Sequence, residues 1–111
     1  MQYEEVANVI ESAGFPYAYR TFPPNSTDKV PPYIVYYYTG SDDVYADNIN
    51  YQEINGMRIE LYTRNKDFAA EKALETALRN ADISWVKDET FVDSENMYLI
   101  IYESEVLING E

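Results

Sequence analysis

Residues 55–81, NGMRIELYTRNKDFAAEKALETALRNA, decide the fold, because they join an alternating strand to an amphipathic helix. Strict alternation over residues 57–64 predicts a strand with one dry face and one wet face. The dry set comprises Met57, Ile59, Leu61 and Thr63, and the wet set comprises Arg58, Glu60, Tyr62 and Arg64. After it, apolar residues recur at helical spacing and predict a helix that packs against the sheet. They are Ala70, Ala73, Leu74, Ala77, Leu78 and Ala81.

Local signals mark the ends of these two elements. Asp67 is a residue type that caps or starts a helix, and Glu75 stands four residues before Arg79, as in a helical ion pair. Asn55-Gly56 is a favoured type I′ dipeptide, so we expect a turn just before the strand.

The N-terminal third predicts a helix followed by strands. Residues 3–13 carry apolar side chains on one helix face, and Gly14 is suited to a left-handed cap. Residues 17–22 alternate like a strand. Proline pairs bracket residues 23–32, which predicts a stiff surface loop. Residues 33–39, YIVYYYT, are apolar or aromatic on both faces and predict a covered strand.

The remaining segments complete an α+β pattern. Residues 40–43 form a turn cluster, and residues 44–54 predict a short strand or an irregular arm. Residues 83–92 and 97–108 predict two strands joined by a turn at 93–96. The order is α-β-β-(β)-β-α-β-β. We therefore predict one domain over residues 1–111, a two-layer sandwich in which both helices pack on one face of an antiparallel-rich sheet.

Composition excludes most catalytic chemistry. The chain has 111 residues, 20 acidic against 8 basic, and neither cysteine nor histidine, so its formal charge is −12. This removes thiol nucleophiles, thiolate metal sites and the commonest general base. We therefore expect no enzyme activity and no cofactor. A surface this negative repels phosphate, and no apolar run could cross a bilayer, so we expect an intracellular protein that reads no nucleic-acid sequence and binds no membrane.

Two acidic groups invite a catalytic or metal-binding interpretation. Asp42, Asp43 and Asp47 could attract Ca²⁺ or Mg²⁺, but they lack the spacing, glycine and closing glutamate of an EF-hand, which favours a solvated turn. The carboxylates near Trp85 suggest glycoside hydrolysis, which needs two carboxyl groups across a sugar-sized cleft. They are Asp88, Glu89, Asp93 and Glu95. A charged hairpin that protects a sheet edge is the simpler interpretation.

The chain is also rich in tyrosine, with 12 in total. Tyrosine suits places where the ring is buried and the hydroxyl stays wet, which describes sheet faces and protein interfaces. Alternation places Tyr36 and Tyr38 on one face of their strand, and Tyr33 and Tyr37 with Val35 on the other. Because helices on one side can bury only one set, we expect the other to contact a partner chain.

Three segments together resemble a known family. They are PPYIVYYYTGSDDVYADNINYQEINGMRIELYT (31–63), KDFAAEKALETAL (66–78) and ISWVKDETFVDSENMYLIIYESEVLING (83–110). In their order and texture they resemble the small tail-terminator or tail-completion proteins of long-tailed phages and prophages. None of the three is a catalytic signature.

The resemblance implies a structural role in virion assembly. Such subunits form a ring, typically a hexamer, that caps the tail tube and joins it to the head connector. It implies self-association, contact with tail-tube and head-connector proteins, and location in the virion, or in the host cytoplasm during assembly. We expect Tyr36, Tyr38, Tyr45, Tyr51, Arg58 and Arg64 at the subunit interface. Asp42, Asp43 and Asp47 are expected to face a lumen whose negative charge lets DNA slide past.

Two alternatives come from other classes of protein. A small acidic inhibitor or DNA mimic could use the same net charge to occupy the basic cleft of a nucleic-acid enzyme. A hydrolase could use the carboxylates near Trp85.

Overall fold

The computed structural model describes residues 1–41, 44–46 and 50–109, and for residues 41, 44–46, 50–53 and 109 it describes the backbone alone. The elements in chain order are α1 (Tyr3–Glu11), β1 (Tyr17–Tyr19), β2 (Tyr33–Ser41), β3 (Val44–Ala46), β4 (Asn50–Thr63), α2 (Phe68–Asn80), β5 (Trp85–Val92) and β6 (Met97–Asn109). The predicted order of elements is confirmed.

The strands form a single sheet in the order β1-β2-β4-β6-β5, and β3 pairs with β4. The β1–β2 pair is parallel and the other pairs are antiparallel. The predicted α+β class with an antiparallel-rich sheet is therefore confirmed. β1 and β5 form the two borders of the sheet, and the long strands β4 and β6 run through its centre.

Both helices pack on one face of this sheet, as predicted. Val6 and Ile10 of α1 and Leu74 and Leu78 of α2 are completely buried in the main core. The sheet residues that meet them include Ile34, Met57, Ile59, Leu61, Ile100 and Tyr102. The dry set of the alternating strand is buried as expected. Full burial of each large aliphatic side chain contributes about 1.5–3 kcal/mol, which makes this layer the main source of stability.

The helix ends follow the local signals. Asp67 accepts a hydrogen bond from the Ala70 backbone N–H at 3.0 Å and so caps α2. Gly14 follows α1 with a φ of +93°, a conformation that favours glycine. The predicted Glu75–Arg79 ion pair is wrong, because Glu75 Oε2 lies 2.7 Å from Lys87 Nζ. Arg79 instead lies over the Trp85 ring, 5.5 Å from the ring centroid.

The predicted turn at Asn55-Gly56 is also wrong. β4 runs unbroken through both residues, and Gly56 pairs with Gly40 on one side and Glu105 on the other. A Cβ at Gly56 would lie 2.5 Å from Thr39 Oγ1, so the glycine serves a close approach of neighbouring strands. Pairing along both sides of the strand outweighs the local turn preference.

Two predicted strand boundaries shift for local reasons. β1 ends at Tyr19, because Arg20 adopts a φ of +67° and turns the chain away from the sheet. β5 begins at Trp85, because Asp82 has a φ of +59° and the Ile83 N–H still bonds to the Leu78 carbonyl.

Candidate functional site

The structure places Tyr36 and Tyr38 on the face covered by the helices. Tyr36 is 6% exposed and meets the Tyr19 ring edge-on at 5.3 Å. The Tyr38 ring meets Tyr3 at 5.2 Å, and its hydroxyl oxygen is buried. These rings stabilise the subunit itself. Tyr36 is buried and so is not available to a second copy, whereas Tyr38 is partly exposed and its place at the interface stays a prediction.

The opposite face of the sheet carries no helix, yet much of it is buried. The Tyr33 ring stacks on Tyr62 with centroids 4.9 Å apart, and Phe22 meets Tyr33 edge-on at 5.4 Å. The expectation that one set of β2 side chains stays uncovered is therefore wrong for Tyr33 and Val35. Residues 20–32 fold over this part of the sheet and take the place of a helix. Burial is the first cause that raises the pKa of Tyr33 to about 12.

Glu60 occupies the centre of the helix-free face and is 8% exposed. It accepts hydrogen bonds from Arg58 Nε at 2.8 Å, from the Tyr62 hydroxyl at 2.9 Å and from the Tyr37 hydroxyl at 3.4 Å. Burial is the first cause that raises the pKa of Tyr62, and the hydrogen bond from its hydroxyl to Glu60 is the second. The face of β4 that is predicted to be solvated is therefore partly buried. Glu60 is tolerated there because both of its carboxylate oxygens accept hydrogen bonds.

Arg58 and Arg64 differ in whether their charges are paired within the subunit. Arg58 is held by Glu60, and its NH1 lies 3.7 Å from Glu103 Oε1, so its charge serves the subunit. Arg64 is exposed between β4 and α2, and has no ion pair within the described part of the chain. Of the two arginines, Arg64 remains the one free to contact a partner.

The other predicted interface and lumen residues lie around β3. Tyr45 and Tyr51 are directly opposite each other in the β3–β4 pair, where only the backbone is described. Asp42, Asp43 and Asp47 lie outside the described residues. Their assignments to the interface and to the lumen stay predictions.

The carboxylates near Trp85 do not converge on a cleft. Asp88 and Glu89 are consecutive residues of β5, so their side chains leave opposite faces of the sheet. Glu89 pairs with Lys66 on the helix side. Asp93 and Glu95 lie in the turn beyond the far end of β5 from Trp85. This placement lacks the facing pair of carboxyl groups that glycoside hydrolysis uses.

A groove that sequence reasoning missed runs along the border of the sheet where β5 begins. Pairing between β5 and β6 ends at Trp85 and Ser104, whereas β6 continues beside β4 to Asn109. The resulting groove has a volume of about 850 Å³. We call it the edge groove; on the helix-free side it is lined by Val86, Glu103, Glu105 and Leu107. The sequence signal for this groove was the unequal length of the two predicted strands 83–92 and 97–108.

The edge groove combines apolar and acidic side chains. Val86 is 72% exposed and Leu107 is 48% exposed. Glu103, Glu105 and Asp82 contribute carboxylates, and no lysine or arginine lines the groove. Of these three acids only Glu103 lies in an ion pair within residues that the structure describes. Exposed apolar groups beside unpaired carboxylates favour a partner that is both apolar and basic.

Among the described residues, no group of three acidic side chains is placed to hold a metal ion. Within the same residues, neither helix has the length and apolar character needed to span a bilayer.

Comparison with known proteins yields a structural likeness. No protein-family model matches the sequence, and no curated relative matches it. A chain in the solved virion of a native gene transfer agent (GTA) particle has a similar fold, with a TM-score of 0.57 and 18% sequence identity. The alignment covers 94% of this chain and 86% of that chain. At this identity the likeness establishes a shared fold.

Proposed function

We propose that this protein is a non-catalytic structural component of a phage-type virion, a tail terminator or neck protein. In this role several copies form a ring, expected to be a hexamer, at the head-proximal end of the tail tube. The ring contacts tail-tube and head-connector proteins, and the protein resides in the host cytoplasm until it joins the virion.

The observation that carries the proposal is the fold shared with a chain of a gene transfer agent virion, along nearly the full length of both chains. A likeness that spans 94% of this chain leaves little room for an added catalytic domain within it. Fold alone does not dictate function, so the surface of the molecule has to support the same role.

The charge of the chain supports a ring through which DNA passes. A net charge of −12 on each copy makes a strongly negative assembly, and such a lumen does not retain phosphates. The same charge opposes assembly at low ionic strength, because the copies repel one another until salt screens them.

The pairing of some acids within the subunit counts against DNA mimicry. A mimic of DNA needs rows of free carboxylates that meet a basic cleft. Five of the described carboxylates are already paired with lysines and an arginine of the same chain. The paired acids are Glu60, Glu71, Glu75, Glu89 and Glu103.

Negative-stain microscopy of concentrated protein at about 0.5 M salt tests the proposal, since at that ionic strength the copies are well screened. We expect rings of uniform subunit number with a central hole wide enough for duplex DNA. A strictly monomeric protein under these conditions, which also binds a basic nucleic-acid enzyme tightly, would overturn the proposal in favour of the inhibitor.

A further inference from the structure

The border of the sheet opposite the edge groove carries the complementary charge. Arg20 lies 4.7 Å from the centroid of the Tyr37 ring, and the Lys29 ammonium lies 5.6 Å from that of Tyr33. Neither cation has an ion pair in the portion of the chain that is described. Residues 20–32 hold two bases and one acid in a chain of net charge −12. We call Arg20, Lys29 and Val30 the cationic border.

The cationic border also offers an apolar contact. Val30 is 58% exposed, and the proline pairs on either side together with the bond from the Ser26 N–H to the Pro23 carbonyl restrict this loop. In the edge groove, Val86 and Leu107 are the exposed apolar partners of matching size. An ordered loop loses little conformational entropy on docking, which favours binding.

Both surfaces lie on the helix-free face. Tyr37 pairs with Arg58, and Arg58 pairs with Glu103, so the three side chains share one face. Glu105 and Leu107 follow Glu103 at steps of two residues and share that face as well. The Lys29 ammonium lies over Tyr33, which is level with Tyr62 and Leu99, whereas Glu105 lies six residues further along β6. At about 3.3 Å per residue this separation is about 20 Å, so a single copy cannot bring Lys29 and Glu105 together.

We propose that the cationic border of one copy docks into the edge groove of the next, with Lys29 facing Glu105 and Val30 packing on Leu107. The contact joins two different surfaces, so its repetition closes a ring or extends a filament. This inference rests on the proposed self-assembly and names the residues that carry it.

Disulfide cross-linking tests the contact directly, because the chain has no cysteine of its own. We would prepare Lys29→Cys and Glu105→Cys as single variants and as a double variant, and oxidise each at high protein concentration. A mixture of the two single variants should form cross-linked dimers, while each alone should not. The double variant should form a ladder that stops at the subunit number of the ring. The pair Lys72→Cys and Glu105→Cys is the matched control.

Charge reversal provides a second measurement that does not depend on oxidation. Lys29→Glu and Glu105→Lys should each weaken self-association by about tenfold or more, because each places like charges together. The double variant that carries both substitutions should restore most of the lost self-association. Lys72→Glu on the outer side of α2 changes the net charge equally and should have a smaller effect.

The outcomes separate this contact from the proposed function. Rings of the unmodified protein together with selective Lys29–Glu105 cross-links support both. Rings whose cross-linking equals that of the control pair, with no effect of either charge reversal, overturn the contact and leave the ring. A protein that stays monomeric at high concentration and salt overturns both.

Discussion

Lys87 Nζ lies 2.7 Å from Glu71 Oε1, which ties the border strand β5 to the buried side of α2. Glu71 is 2% exposed, and its other oxygen lies 2.6 Å from Lys66 Nζ. Burial by itself raises the pKa of Glu71, but the hydrogen bonds and charges of the two lysines outweigh it and hold the pKa below its ordinary value. These charge pairs therefore fasten the border strand to α2, in addition to its pairing with β6 and the ring contacts of Trp85 and Phe91.

Glu71→Gln should lower the free energy of unfolding by about 2 kcal/mol, because it removes the buried charge shared by two lysines, which keep only Glu75 and Glu89 as partners. Urea unfolding followed by circular dichroism measures this change. Glu89→Gln is the matched control, since Glu89 also pairs with Lys66 but is exposed, and it should cost less than about 1 kcal/mol. Equal effects of the two substitutions would contradict the central role of Glu71.

Acid should destabilise the protein through the same carboxylate. Since the folded-state pKa of Glu71 lies below 4.5, its contribution is present above that pH and is lost as the pH falls through the folded-state pKa. The urea midpoint should therefore drop between pH 7 and pH 3. The drop in the urea midpoint should be smaller in Glu71→Gln, because the amide cannot take up the proton that the Glu71 carboxylate does. An equal drop in both proteins would contradict the assignment of this acid sensitivity to Glu71.

Ionisation of the buried tyrosines should be coupled to unfolding at high pH. Burial is the first cause that raises the pKa values of Tyr33, Tyr38, Tyr62 and Tyr102, and that of Tyr33 reaches about 12. The stabilisation from these groups is complete below pH 10 and is lost as the pH rises through the raised values. Absorbance at 295 nm should show a tyrosine ionisation step that coincides with unfolding. In concentrated urea, where the buried rings are exposed, this step should move to lower pH.

Gly56→Ala should destabilise the sheet by about 1 kcal/mol or more, because its Cβ would lie 2.5 Å from Thr39 Oγ1. Thr39→Ala removes that oxygen and should cost little, since Thr39 is exposed. Thermal unfolding of both single variants and the double variant forms a cycle. The cost of Gly56→Ala should shrink in the Thr39→Ala background, and strict additivity would show that the two residues do not meet.

Arg64→Glu should weaken self-association several-fold without changing stability, because Arg64 is exposed and outside any ion pair of the described chain. Sedimentation velocity at several protein concentrations measures the association. Lys72→Glu changes the net charge by the same amount, so a comparable effect of both would indicate general repulsion. Unchanged sedimentation of Arg64→Glu would remove this residue from the candidate interface.

The contact between Glu60 and Arg58 shows where sequence patterns stop predicting sites. Alternation places both residues on the face opposite the main core, and the structure agrees. Alternation does not show that residues 20–32 fold over that face. This covering loop converts a surface expected to be solvated into a buried hydrogen-bond network. The prediction of Arg58 as an interface residue does not take into account that its charge is paired inside the subunit.

The sequence by itself determined the α+β class, the order of elements, the dry side of β4 and the capped helix α2, because periodicity and capping depend on neighbours within a few residues. Only the tertiary structure decided that β4 continues through Asn55-Gly56 and that Tyr36 lies beneath the helices. The same holds for the edge groove, which forms because β6 extends beyond the end of β5. These features depend on which strands pair and how far, and such pairing is set by contacts between residues far apart in the chain.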